Sequence, residues 1–288
     1  MKKKFSILSL LILIFAFIFS FYNLLFTPKK NLNPTNKMIV HYIDVGQGDS
    51  ILIQVNNKNL LIDAGPKDAK ENLLTYLDSI GLSKLDYIIA THPHEDHIGS
   101  MSSIINKYEV GKFYAPKVEH TTSTFEKMVE SLITKDLKIN IIKAGIDTID
   151  LGKGTNVTVF SPSKEEYSNL NDYSPIIKIE YGNNSFLFTG DAEVEVEKEV
   201  LSKNPNIKSD VLKLGHHGSS TSTSKTFLNA VNPSIGVISA GVDNKYGHPT
   251  NKTLTLLNTN NIKSYRTDLD GTIVLSSNGT EINRIPNK

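Results

Sequence analysis

Thr91-His92-Pro93-His94-Glu95-Asp96-His97-Ile98-Gly99-Ser100 is the stretch on which the reading of this 288-residue chain turns. Three of the eight histidines and an aspartate fall within six consecutive positions, directly after the apolar run Tyr87-Ile88-Ile89-Ala90. A short apolar run of this kind predicts a buried strand. Imidazole nitrogens and carboxylate oxygens are the donors that suit zinc, and also manganese or iron. Four of them at a strand's end, just before a helix, are aimed at one point.

Working outward, residues 39–45, 50–55 and 59–63 read as a strand meander around the turn Asn56-Asn57-Lys58. Leu73, Leu74, Leu77 and Ile80 recur at helical spacing, and Gly81 stops that helix. Beyond the histidine cluster, helices are expected near 102–107 and through 125–133, with strands at Phe113 and 139–142. Strands then follow at 157–160, 176–180, 186–189, 211–214 and 235–239. Gly182-Asn183-Asn184 is the turn between the second and third of these. Helices near 225–231 and around 254–257, and two short strands, complete the chain. No internal repeat or second low-complexity break interrupts 38–288, so a single α/β domain is expected there. Two mixed sheets with helices outside would satisfy this order.

Further candidate ligands lie far away in sequence but at comparable stations. Gly190-Asp191 follows the strand at 186–189. His216-His217-Gly218-Ser219 follows the strand at 211–214, and Tyr246-Gly247-His248-Pro249 lies in a loop after 235–239. If those strand ends converge on one rim, they build a single site. Hydroxyls and free N–H groups at a helix start favour an anion, which makes Ser219 the candidate for a phosphate seat. Tyr246 either lines the pocket or is simply packed. Asp63 ends a strand, where it would hold a ligand imidazole from behind, or serve as an ordinary turn carboxylate. Asp49 has the same standing.

Composition narrows the partners. The net charge is +1, and Arg266 and Arg284 are the only arginines, so no global field or bidentate arginine array recruits nucleic acid. The chain has no cysteine, which excludes disulfides, thiolate ligands and a cysteine nucleophile. Met1-Lys2-Lys3-Lys4 precedes a nearly unbroken apolar run over 5–26. About twenty apolar residues can cross a bilayer as a helix. The lysines would stay cytoplasmic and leave the remainder outside. Residues 1–27 are therefore expected to be an uncleaved membrane anchor, with a cleaved signal segment and a secreted product as the alternative. Residues 28–37 are a polar linker by composition.

Taken together, these residues resemble the metallo-β-lactamase-fold hydrolases, whose fingerprint is His-x-His-x-Asp-His, a later Gly-Asp and histidines in further loops. More narrowly, Asp44-Val45-Gly46-Gln47-Gly48-Asp49-Ser50, the 91–99 segment, Leu212-Lys213-Leu214-Gly215-His216-His217-Gly218-Ser219 and Tyr246-Gly247-His248-Pro249 look like the extracellular domain of ComEC-type DNA-uptake proteins. They also resemble bacterial phosphorylcholine esterases. The resemblance covers residues 38–285 and implies an αββα four-layer sandwich of two mixed β-sheets flanked by helices, with two divalent metal ions at one edge, zinc or alternatively manganese. Carried over, His92 and His94 would bind one ion, Asp96 and His97 the other, and Asp191 would bridge them. His248 would complete the second ion's shell. His216 and His217 would contact the reacting phosphate, one of them protonating the leaving oxygen. Exchanging His216 and His248 remains an open alternative. The sequence departs from the pattern at one ligand: the superfamily's third histidine is missing, and Asn171-Asp172-Tyr173-Ser174 stands at its station. Asp172 could supply an oxygen there, or be a turn residue, whereas His120 reads as a surface histidine.

The activity implied is metal-dependent hydrolysis of a phosphodiester, in DNA or in a cell-wall polymer. A β-lactamase or other amide or ester hydrolase is the alternative on the same fold, and a non-catalytic metal-binding module the alternative from another class. Nothing in the sequence demands an obligate protein partner.

Overall fold

The computed structural model describes residues 36–203 and 205–286. The membrane segment expected at 1–27 and nearly all of the linker at 28–37 lie outside them. Among the described residues, fourteen strands form two mixed sheets. The first contains β1 (Met38–Tyr42), β2 (Ile51–Val55), β3 (Lys58–Ile62), β4 (Lys84–Ile89), β5 (Glu109–Ala115) and β6 (Ile139–Ile141), with β13 (Ile273–Ser277) and β14 (Ile282–Ile285). Its order is β14-β13-β1-β2-β3-β4-β5-β6. Pairing is antiparallel up to β3 and parallel from β3 to β6. The second contains β7 (Thr155–Val159), β8 (Ile177–Tyr181), β9 (Asn184–Phe188), β10 (Val211–Lys213), β11 (Ile235–Ile238) and β12 (Lys263–Arg266), in the order β12-β11-β10-β9-β8-β7. Here the strands from β9 to β12 run parallel.

Alternation along the strands builds the layers, because successive side chains point to opposite faces. Ile51, Ile53 and Val55 of β2 and Phe186 and Phe188 of β9 share the core between the sheets. Leu52 faces the other way, toward α1 (Lys70–Ser79), α3 (Met101–Lys107) and α4 (Ser123–Thr134), which follow the short α2 (Glu95–Ile98) or flank it. Leu187 likewise faces outward, toward α5 (Val194–Ser202), α6 (Lys225–Val231) and α7 (Asn251–Thr259). A last single turn, α8 (Thr267–Asp270), follows β12. Each fully buried Leu, Ile or Phe contributes roughly 1.5–3 kcal/mol, so these three apolar layers carry the fold.

The expected αββα sandwich is thus the observed architecture. Two details differ from the sequence reading. Residues 194–202, left unassigned, are helical, and the C-terminal region holds three strands instead of two. Of the three, β12 edges the second sheet, whereas β13 and β14 join the first, β13 pairing with β1.

Candidate metal centre

The parallel strands of both sheets end at one rim, and the candidate residues sit just beyond those ends. After β4 the chain bends at His92 and Pro93, which brings the His92 and His94 rings together. Their Nε2 and Nδ1 atoms are 2.9 Å apart. One helical turn follows, with His94 at its N-cap, and it turns Asp96 and His97 toward the same point. The turn is seated on the loops after β1 and β3: Asp49 N–H donates to Asp96 O at 3.2 Å, and Ala64 N–H to His97 O at 2.8 Å. Gly48 is required by that approach, since a Cβ there would meet Asp96 O at 2.2 Å.

Asp63, fully buried at the end of β3, fixes the segment from behind. Its Oδ1 accepts from Thr91 N–H at 2.8 Å, and its Oδ2 accepts from Thr91 Oγ1 at 2.7 Å and from His97 Nδ1 at 2.8 Å. With His97 Nδ1 so occupied, Nε2 is the atom presented to the site. Asp191, beyond β9, places a single oxygen among four imidazoles. Its Oδ2 lies 3.2 Å from His97 Nε2, 3.5 Å from His217 Nε2, 3.7 Å from His216 Nε2 and 3.9 Å from His92 Nε2.

The geometry redistributes the roles expected for the later histidines. His217, expected over the phosphate, is buried, and its Nδ1 donates to Ser239 O at 3.0 Å. Its Nε2 makes no hydrogen bond, yet lies 3.3 Å from Asp96 Oδ2. Asp96, His97, Asp191 and His217 each offer an atom within 4.8 Å of the others. His248, expected to complete that set, instead lines the cavity beside it, its ring 5.5 Å from that of His216. The reason lies in the backbone. Both histidines of the pair adopt left-handed conformations, φ 47° and 53°, which send His217 inward and leave His216 at the cavity wall.

Two other expectations need correction. Asp172 does not line the cavity, and its Oδ1 accepts the Glu193 N–H at 3.1 Å to secure the loop before α5. Ser219 does not line the cavity, its hydroxyl being spent on Thr221 N–H and Oγ1 at 3.2 and 3.0 Å. Tyr246 does line it, 56% exposed and stacked on His248. His120 stays apart at 3.1 Å from Thr122 Oγ1. Asp49 lies beneath the site and pairs with the fully buried Lys213 at 2.8 Å, its other oxygen 3.7 Å from His217 Nδ1.

Three residues that sequence reasoning passed over also belong here. Glu193 Oε1 lies 3.2 Å from His216 Nδ1 and accepts from Asn171 Nδ2 at 3.2 Å and Thr221 Oγ1 at 3.0 Å. Asn171 lines the cavity, and Lys213 supports it from below. The Gly-Asp-Ala-Glu run over 190–193 was the available signal for Glu193, and the station of the missing histidine was the one for Asn171; a lone lysine offers none.

The electrostatics suit a cation. Burial alone would raise the Asp191 carboxyl, but His217 and His97 hold it well below the usual range. Burial would lower both of those imidazoles, yet the carboxylates, Asp191 first, lift His97 well above its ordinary value and His217 to about 9. His92 and His94 are lowered, by burial first, which keeps them in the neutral form that ligates. Asp191 Oδ1 and Asn171 Oδ1 are buried acceptors without hydrogen-bond partners, which costs free energy unless something electropositive meets them. Two nitrogens and two oxygens in one knot fit zinc or manganese. A cavity of about 420 Å³ opens above them, walled by His94, Glu95, His216, Lys245, Tyr246 and His248 among others.

Comparison with known proteins gives the family and the fold. The sequence profile of the Metallo-beta-lactamase superfamily matches residues 43–242. ComE operon protein 3 of Bacillus subtilis is 35% identical over 81% of this chain and 32% of its own length. Competence protein ComA of Neisseria gonorrhoeae is 31% identical over 83% of this chain and 32% of its own. Recombination protein 2 of Haemophilus influenzae is 34% identical over 73% and 25%. The chain therefore spans a quarter to a third of the length of these relatives. Among solved structures, the metallo-beta-lactamase fold protein YhfI from Bacillus subtilis superposes with a TM-score of 0.57 at 12% identity, covering 84% of this chain and 100% of that one. Igni18, a metallo hydrolase from Ignicoccus hospitalis, gives 0.54 at 17% identity, covering 82% and 98%.

Proposed function

The chain belongs to the metallo-beta-lactamase superfamily, and from that premise we propose that it is a metal-dependent phosphodiesterase acting on nucleic acid, held at the outer face of a membrane by residues 5–26. The observation that carries the reading is the position of Asp191 Oδ2, within 3.9 Å of four imidazoles that come from both sheets. Asp96, His97, Asp191 and His217 would hold one divalent ion, and His92 and His94 would share Asp191 with a second, zinc or manganese. Such a pair activates water near neutral pH and neutralises charge on a phosphoryl oxygen.

The chain's own residues supply the rest. Asp63 holds His97 in one tautomer, and Ser239 O does the same for His217. His216, backed by Glu193, faces the cavity with Nε2 and is placed to give a proton to the leaving oxygen. Glu193 acts through His216 by accepting from Nδ1–H, which leaves Nε2 as the nitrogen that exchanges a proton with the leaving oxygen. Tyr246 and Lys245 form an exposed lip beside His248 that suits a base and its phosphate. Two relatives' names, which speak of competence and recombination, support nucleic acid over a cell-wall phosphodiester. Among the described residues no helix is long and apolar enough to cross a membrane, so the anchoring proposal concerns residues 5–26 alone.

The test is a substrate panel on the purified chain reloaded with manganese or zinc: bis-p-nitrophenyl phosphate, single-stranded DNA, a phosphorylcholine ester and nitrocefin. Hydrolysis of the first two is expected. Turnover of nitrocefin alone would replace this reading with an amide hydrolase.

A further inference from the structure

Asn171 opens the segment that the family resemblance sets at the station of the missing third histidine, and its amide is held in one orientation. Glu193, a carboxylate that only accepts, receives the Asn171 NH2 group at 3.2 Å. The amide oxygen must therefore point the other way. That oxygen is buried and has no hydrogen-bond partner, in a residue only 6% exposed that lines the same cavity as His94 and Asp191. The segment carrying it cannot drift. Asn171 N–H donates to Asn169 Oδ1 at 3.1 Å, and three residues on, Ser174 Oγ lies 3.2 Å from His92 Nδ1 and accepts from Asp191 N–H at 3.1 Å. Asp172, the neighbouring oxygen donor, gives Oδ1 to the Glu193 N–H and does not line the cavity. Asp191 Oδ1 is a second buried acceptor without a partner.

We propose that Asn171 Oδ1 completes the first cation site together with His92, His94 and Asp191, and that this donor set selects manganese(II) there. The inference rests on the metal-binding reading above and deepens it by naming the ion. Replacing an imidazole by a neutral amide oxygen leaves two nitrogens and two oxygens. Carbonyl and carboxylate oxygens are the donors that favour manganese and magnesium, whereas a third imidazole favours zinc. Asp96, His97, Asp191 and His217 do not involve Asn171, so the second ion should be indifferent to changes at this position.

The experiment titrates metal-free full-length chain in detergent with manganese chloride or zinc chloride and reads stoichiometry and affinity by calorimetry, with no substrate present. The unsubstituted chain is expected to bind two manganese ions. Asn171→Ala should bind one normally and weaken the other at least tenfold, with an unchanged circular-dichroism spectrum. Asn171→His, which restores the imidazole and also guards against misfolding of the alanine variant, should bind two ions and shift the weaker site toward zinc at least tenfold. Two manganese ions bound with unaltered affinity by Asn171→Ala, or no gain for zinc in Asn171→His, would overturn the assignment while leaving the metal-dependent reading in place. An unsubstituted chain that binds neither ion would overturn both.

Discussion

Asp191 and the two adjacent histidines His216 and His217 carry most of the chemistry argued for here, and they show how much a single residue's position can decide. In sequence the pair is indistinguishable. In the fold, a left-handed backbone sends His217 into the knot with Asp96, His97 and Asp191 and leaves His216 on the wall against Glu193. His217→Ala is therefore expected to lose bound metal together with turnover. His216→Ala should keep its metal and lose at least a hundredfold in kcat, the usual range for a missing proton donor. Metal analysis beside kinetics checks this, and equal metal loss in both variants would contradict it. The ligands around His92 were legible because they are crowded into one turn of chain. Asn171, Glu193 and Lys213 were not, since each acquires its role only through a neighbour some 20 residues or more away, beyond the reach of any spacing rule.

Elements were read well where one pattern dominated. The Asn56-Asn57 turn, both residues at positive φ, joins β2 to β3 as expected for a hairpin. By contrast, Val194-Glu195-Val196-Glu197 alternates like a strand, yet it opens α5. The helix wins because Val196 and Val200 fall on one face against the second sheet, and because Glu197 is buried to accept the Thr223 and Ser224 N–H groups. On the first sheet's outer face, β1 carries a testable element-scale feature. His41 is buried between β2 and α1, accepting from Tyr76 O–H at 2.7 Å and donating to Gln54 Oε1 at 3.1 Å. Burial lowers its pKa from 6.5 to about 4, with the Gln54 bond opposing. The unfolded chain thus binds a proton that the folded chain refuses. Stability is full above pH 6.5 and falls as pH drops toward 4, by about 3 kcal/mol at pH 4. His41→Asn should flatten that part of the urea-unfolding profile between pH 7 and 4. An unchanged slope would show that His41 is not the group responsible.

At the scale of the whole molecule, neither sheet contains the site. His92, His94, Asp96 and His97 follow β4 of the first sheet, whereas Asp191 and His217 follow β9 and β10 of the second. The interior layer of Ile51, Ile53, Phe186, Phe188 and their neighbours is what brings the two rims together. Two mixed sheets with helices outside were inferable from the alternation of strand and helix signals, and the family resemblance implied their stacking as a sandwich. The return of β13 to pair with β1 was not, because a strand carries no mark of a partner more than 200 residues away. The most direct measurement is an anomalous-difference map from crystals of the chain grown with manganese(II), collected above and below an energy at which that ion scatters anomalously. A peak bounded by Asp96, His97, Asp191 and His217 is expected, with a second beside His92 and His94. A map with no peak among these residues, in crystals that show manganese bound elsewhere, would contradict the claim that the two sheets meet around a metal centre.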